Sequence, residues 1–291
     1  MNECGEVKRN LGLSRCVQMP QMPRSMITTG QDFKFTPEDL EDETSFKAAL
    51  EAAITAGYAE RVYLWPNFAG FENTSEATVY EQNASGSMFV RNGKYRFRFL
   101  IATDICTHTA MYTHRSTSGR AFILDIEDNM LGYVDSEGNF YGYTISLLNP
   151  ENIILSDGSV STKSPIFLEL SNSNELNKYG AMFPASFVSN LPRLTDVVLT
   201  KPVNANSATK VHATVKNKCD GFALEGLAMT DFKFLTPAGL VQPITAIAYL
   251  GDGIYELTGV AFVSGPLNLA DPGDLTVQAY ESMGPLTITI P

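Results

Sequence analysis

Gly251-Asp252-Gly253-Ile254-Tyr255-Glu256-Leu257-Thr258-Gly259 decides the reading of the last third of this chain. It is a tight turn followed by a strand, and Asp252-Gly253 is a strong hairpin signal. Working outward from it, turn residues separate short strands predicted near 195–201, 209–216, 229–235, 243–250, 253–260, 274–281 and 284–290. Seven short strands with turns between them predict a two-sheet β-sandwich over residues 195–291. Its seam with the preceding body falls at 192–197, where Asn190-Leu191-Pro192-Arg193 interrupts the strand pattern.

The preceding body, residues 36–194, is also mainly β, with one helix. Phe46, Leu50 and Ile54 recur every four positions, alanines between them raise helix propensity, Asp42 or Thr44 caps the start and Gly57 ends it. Arg61–Trp65 then reads as a strand stopped by Pro66. Residues 68–93 form a long polar segment, suited to an extended hairpin that projects from the body. Lys94-Tyr95-Arg96-Phe97-Arg98-Phe99 alternates strictly, with the aromatics facing a core and the cations facing water or a partner. Arg120–Ile126, Tyr141–Ile145 and Pro165–Leu170 continue the sheet, with a turn at Asp135–Asn139 and with Ile166, Leu168 and Leu170 on the core side. Residues 1–35, with Pro20 and Pro23 and no clear period, read as an extended arm with little structure of its own.

Composition excludes several classes. The 291 residues carry a net charge of −11, and residues 196–291 alone hold 5 basic and 9 acidic side chains, so neither half is a basic nucleic-acid reader. No apolar run reaches the ~20 residues that span a bilayer. Met1–Cys16 has no apolar h-region, so no secretory signal is expected, and Cys4 lacks the hydrophobic lead of a lipoprotein anchor. Cys4, Cys16, Cys106 and Cys219 are too sparse for a disulfide framework, which predicts reduced thiols in a cytoplasm, at least during synthesis.

Chemical motifs are few. Cys106-Thr107-His108 with His114 offers a cysteine beside histidines, either as part of a zinc set that lacks a fourth ligand, as a nucleophile with its base, or as an ordinary loop or strand end. His212 is expected on a strand of the C-terminal block. Asp125, Glu127, Asp128, Asp135 and Glu137 form an acidic run. The sixth position from Asp125 is Met130, so the calcium-loop pattern fails and carboxylates flanking turns are the simpler reading. Arg91, Lys94, Arg96 and Arg98 make a basic stripe interleaved with aromatics, either a single-strand-binding face or a solvated or inter-subunit strand face. No phosphate loop or nucleophile elbow is present. No catalytic, cofactor-binding or metal-ligating residue is assigned, and no cofactor or enzymatic activity is expected.

The body resembles the tail tube (major tail) proteins of long-tailed bacteriophages. The resemblance rests on the order of an N-terminal arm, the helix Phe46–Ala56, the projecting segment Phe68–Gly93, the strands Lys94–Leu100 and Arg120–Ile126, the turn Asp135–Asn139, and Pro165–Leu170 with Glu175-Leu176. The C-terminal block resembles the immunoglobulin-like modules fused to such subunits, without the Cys–Trp–Cys set of antibody domains. What the resemblance implies is a structural virion protein, made in the host bacterial cytoplasm, that oligomerises into stacked hexameric rings. The rings enclose a channel in which genomic DNA passes without specific binding. Its partners would be further copies of itself and other tail proteins, with no membrane insertion. The C-terminal module would be a dispensable outer decoration with a weak contact to surface glycans. The alternatives are a capsid decoration, head–tail connector or baseplate protein, or a surface adhesin.

Overall fold

The computed structural model describes residues 20–56, 61–83, 86–116, 118–159, 161–191, 194–274 and 280–291. The expected helix stop at Gly57, the cysteines Cys4 and Cys16, and Pro192-Arg193 of the seam lie outside these. The chain divides into two compact units, Met1–Ile54 with Tyr58–Leu191, and Thr55–Gly57 with Pro192–Pro291. Both are mainly β.

The elements up to Leu191 are β1 (Pro23–Thr29), α1 (Glu43–Thr55), β2 (Tyr63–Leu64), β3 (Gly70–Asn73), β4 (Val79–Asn83), β5 (Gly86–Arg91), β6 (Arg96–Ala102), α2 (Ile105–Tyr112), β7 (Arg120–Asp125), β8 (Asn129–Val134), β9 (Phe140–Tyr141), β10 (Tyr143–Pro150), β11 (Lys163–Leu170), α3 (Ser173–Asn177) and β12 (Gly180–Pro184). β7 is the hub. Ala121, Phe122, Ile123 and Leu124 are all buried, as an unbroken apolar run requires when both faces of a strand are covered. β1 lies along one edge of β7, pairing Met26 with Ile123 and Thr28 with Ala121. β8 and β10 share the other edge, at Ile123↔Leu131 and Ala121↔Tyr143. The sheet then runs β10-β11-β6-β3 on one side and ends at β12 on the other. Gly142 sits at this fork. A Cβ there would lie 2.8 Å from the Ala121 carbonyl carbon, so only glycine lets the chain pass this close from β9 to β10.

One face of the sheet carries Phe97, Phe99, Ile101, Ile123, Tyr143, Ile166, Leu168 and Leu170 in a single core. On the opposite face of β7, Phe122 meets Phe35, which packs edge-on against Phe46 of α1 with ring centroids 4.7 Å apart. The helix forms as its sequence pattern predicts. Asp42 Oδ1 accepts from Ser45 N at 2.8 Å as the cap, and Phe46, Leu50 and Ile54 are buried.

Three features of the fold differ from what the sequence predicts. Residues 23–29 are not part of a structureless arm, because β1 is flanked by β7 and β2 and buries Met26 and Ile27 completely. Trp65 anchors it, donating from Nε1 to Thr28 Oγ1 (2.9 Å) and accepting from Ser25 Oγ (2.7 Å) at its carbonyl. The apolar Met26-Ile27 pair was too short to register as a period. Cys106, His108 and their neighbours form neither a loop nor a strand end but α2, capped by Asp104, whose side chain accepts from Thr107 N at 2.8 Å. And Cys106 and Cys219 are each disulfide-bonded, with no free cysteine among the described residues. Sparse spacing hid this, because pairing depends on which positions the fold brings together and not on their separation in sequence.

The elements of the second unit are β13 (Thr195–Thr200), β14 (Lys210–Asn217), β15 (Phe232–Phe234), β16 (Ala246–Gly251), β17 (Ile254–Thr258), β18 (Gly265–Leu269), β19 (Tyr280–Ser282) and β20 (Leu286–Ile288). They make two sheets, β16-β17-β14-β13-β19 and β15-β18-β20, in which β13 and β19 run parallel and the other described pairs antiparallel. Val197, Val211, Val215, Tyr255 and Leu257 from the first share a core with Phe232, Phe234, Leu267 and Leu269 from the second. The opening motif is the β16–β17 hairpin. Gly251 pairs with Ile254 across Asp252 (φ 52°) and Gly253 (φ 78°), the double positive φ of a type I′ turn. β18 is a strand that the sequence pattern did not reveal, because Pro266 inside it reads as a breaker. The carbonyl of Pro266 nonetheless accepts from Leu235 N at 2.9 Å, so the ring costs the ladder a donor and not the strand.

Candidate assembly surfaces

The cysteine–histidine cluster is dispersed by the fold. A disulfide sulfur has no thiolate to offer, so Cys106 does not serve as the nucleophile. His108 Nδ1 lies 2.6 Å from Ser164 Oγ on β11. His114 packs its ring on Tyr63 and Trp65, at centroid distances of 4.5 and 5.5 Å, and burial holds its pKa below the ordinary histidine value. His212 lies on β14, as predicted, with Nε2 3.1 Å from Glu256 Oε2. Among the described residues, no group of three or more His, Cys, Asp or Glu is placed to hold a metal ion.

The acidic run resolves into two copies of one turn. Asp125 Oδ1 accepts from Glu127 N at 3.0 Å and Asn129 N at 2.9 Å. Asp135 Oδ1 accepts from Glu137 N at 2.8 Å and Asn139 N at 2.9 Å. In each, an Asp closes the turn on an Asn four residues later, which is local backbone bonding by a short carboxylate. These carboxylates hold the β7–β8 and β8–β9 connections.

The basic stripe is neutralised within the chain. Arg96 of β6 faces Glu169 of β11 in register, and Nε donates to Oε2 at 2.7 Å. Arg96 also meets Glu76 at 2.7 Å, and Lys94 donates to Glu169 Oε1 at 2.7 Å. Arg98 bridges Glu151 (3.0 Å) and Glu72 (3.3 Å), while Arg91 pairs with Glu76 at 3.2 Å. Burial alone would raise the Glu169 carboxyl, but hydrogen bonds from Lys94, Arg96 and Ser146 outweigh it and hold the pKa down to about 2. Each of the four cations thus meets a carboxylate, which leaves little positive field for a phosphate backbone.

β4 and β5 are different. They pair with each other, Tyr80 opposite Phe89 and Glu81 opposite Met88, and among the described residues with no other strand. They prolong the β3–β6 ribbon. Glu76 N donates to Lys94 O at 2.9 Å, and the strands then pass so close that a Cβ on Gly93 would sit 1.9 Å from Glu76 O. Beyond that waist every residue of β5 is exposed. Tyr80 and Phe89 are 58% and 55% exposed on one face of the hairpin, and Met88 projects from the other. The polar character of residues 68–93 as a whole hides Met88-Phe89-Val90; the run of three consecutive apolar residues within 86–91 is the signal that finds them. An isolated two-stranded hairpin is marginal in water, and its unpaired edges are templates for another chain.

No protein-family model matches this sequence, and no curated protein matches it significantly.

Proposed function

We propose that this chain is a structural virion protein, the tail tube subunit of a long-tailed bacteriophage, which assembles into stacked hexameric rings around a channel for DNA. The observation that carries this reading is the β4–β5 hairpin. It displays Tyr80, Met88, Phe89 and Val90 to solvent and has no core of its own, an arrangement suited to burial against a neighbouring copy. The strand order of the second unit agrees with the fused module of the proposal. Lettered A to G in chain order, with β19 and β20 as the two parts of G, its sheets read G-A-B-E-D and C-F-G, which is the A-B-E-D and C-F-G order of a constant-type immunoglobulin sandwich with β19 added parallel to A. The net charge of −11 lets DNA slide past the subunit instead of adhering to it. The disulfides at Cys106 and Cys219 fit a protein that is exposed outside the cell once the virion is released.

Those disulfides favour a second reading equally well, a surface adhesin, and assembly separates the two. Negative-stain electron microscopy and light scattering of the purified full-length chain are expected to show rings or tubes with a central channel. A monomer or trimer at all concentrations overturns the tube reading in favour of a decoration or adhesin.

A further inference from the structure

Three loops gather at one end of the second unit: 201–209 between β13 and β14, 235–245 between β15 and β16, and 259–264 between β17 and β18. They are tied to one another. Gly259 N donates to Thr209 O at 3.0 Å and Phe262 N to Ala208 O at 2.7 Å. The buried Gln242 side chain accepts from Val263 N (2.7 Å) and donates to Leu235 O (2.9 Å) and Val263 O (3.0 Å). Thr236 and Leu240 close their own turn, Thr236 N to Leu240 O at 2.8 Å and Leu240 N to Thr236 Oγ1 at 3.1 Å. Loops held this way keep a defined surface, and that surface is aliphatic. Val203, Leu240, Val241, Val260 and Val263 are exposed, Leu240 at 68% and Val260 at 78%.

The charge pattern sharpens the point. In a chain of net charge −11, Lys201 is the one charged residue in these three loops, whereas the loops at the other end carry Lys218 together with Asp220, Glu225, Asp231, Asp252, Asp271 and Asp274. An apolar pole with a single positive charge and no carboxylate, on an acidic protein, marks a contact surface. Its chemistry narrows the partner. Phe262 is buried, so the exposed pole is aliphatic and offers no aromatic platform for a sugar ring. An anionic bilayer would repel a chain of this net charge. What fits is an apolar protein element with large side chains, and the β4–β5 hairpin is such an element.

We propose that the apolar pole of the second unit receives the β4–β5 hairpin of another copy. Tyr80, Met88 and Phe89 are side chains of the kind that fill aliphatic surfaces as anchors. Glu81 on the hairpin is opposite in sign to Lys201 at the pole. The two surfaces differ, so the contact is heterologous and propagates head to tail. The inference rests on the self-assembly proposed above and assigns the second unit a role in it, in place of dispensable decoration.

The test uses the full chain and two exposed substitutions, Phe89→Asp on the hairpin and Val260→Asp at the pole, each checked for unaltered thermal unfolding. Sedimentation velocity over a concentration series is expected to show wild type growing, and each variant arrested at a smaller species, with growth weakened at least about ten-fold. Mixing the two arrested variants is expected to give a species twice the arrested size and no larger, because one intact hairpin meets one intact pole. Tyr80→Asp with Leu240→Asp repeats the experiment at independent positions. Growth of Phe89→Asp alone means pole meets pole, growth of Val260→Asp alone means hairpin meets hairpin, and a mixture that stays arrested means the surfaces do not meet; each overturns the proposal while leaving self-assembly intact. A wild type that never grows overturns both.

Discussion

The ribbon that leaves the main sheet at Gly70 and returns through Ala102 has two halves made of similar residues with opposite fates. At its root, β3 and β6 alternate aromatic and charged side chains, and each kind finds its complement. Phe97, Phe99 and Ile101 enter the core, while Arg96 and Arg98 meet Glu169, Glu76, Glu151 and Glu72. Beyond Gly93, β4 and β5 present tyrosine, methionine, phenylalanine, glutamate and arginine again, but among the described residues they pair only with each other, and Tyr80, Met88 and Phe89 stay exposed. Alternation therefore specifies a strand and not its burial. What completes the root is β11, some 70 residues away in sequence, which supplies Leu168 to the core side and Glu169 to the charged side.

The largest expected effect lies at the root. Phe99 is fully buried and stacks on Phe68 with centroids 4.1 Å apart, so Phe99→Ala is expected to cost about 3–5 kcal/mol in denaturant unfolding. A cost under about 1 kcal/mol, the range of surface positions, would remove the contrast between the two halves.

A smaller effect concerns the charged side of the same strand. Glu169→Gln removes the charge that joins Lys94, Arg96 and Ser146, at an expected cost of about 1–3 kcal/mol at neutral pH. The sign of its pH dependence follows from the pKa held down to about 2. A carboxyl depressed on folding contributes in full above its ordinary value near 4.3, and that contribution is lost as pH falls from about 5 toward 2. The gap between wild type and Glu169→Gln is thus expected to close across that window. A gap that stays constant to pH 2 would mean that the carboxylate charge is not what holds the cluster.

The same contrast explains which parts of the molecule were legible in the sequence. Local chemistry was readable where it is self-sufficient: the helix from Phe46, Leu50 and Ile54, the type I′ turn from Asp252-Gly253, and the core side of β6 and β11 from their alternation. Features that depend on distant partners were not. β1 hides its two buried apolar residues between prolines and polar side chains, β18 carries a proline that its pairing tolerates, and the disulfides at Cys106 and Cys219 have no spacing signature. The basic stripe was visible as cations, but its neutralisation needed four carboxylates drawn from three separate segments. Exposed apolar residues were the hardest of all. Met88-Phe89-Val90 and Leu240-Val241 carry the same letters as core residues, and only the completed fold leaves them outside.

The smallest effect is the most informative about the distal half. Phe89→Ser removes a large aromatic ring, a change that at Phe99 would be severe. Yet Phe89 faces Tyr80 across its own hairpin at a centroid distance of 6.3 Å, and it is already more than half exposed. Little apolar area returns to water on unfolding from such a position, so at micromolar concentration the unfolding free energy of the unassembled chain is expected to change by no more than about 0.5 kcal/mol. The measurement is denaturant unfolding under dilute conditions, repeated at high protein concentration. If Phe89 is a contact between copies, wild type gains stability with concentration by mass action and the variant does not, so the two curves separate only at the concentrated end. A loss above about 1 kcal/mol in dilute solution would instead mean that the hairpin folds back on its own body, and the two halves of the ribbon would then differ in degree and not in kind.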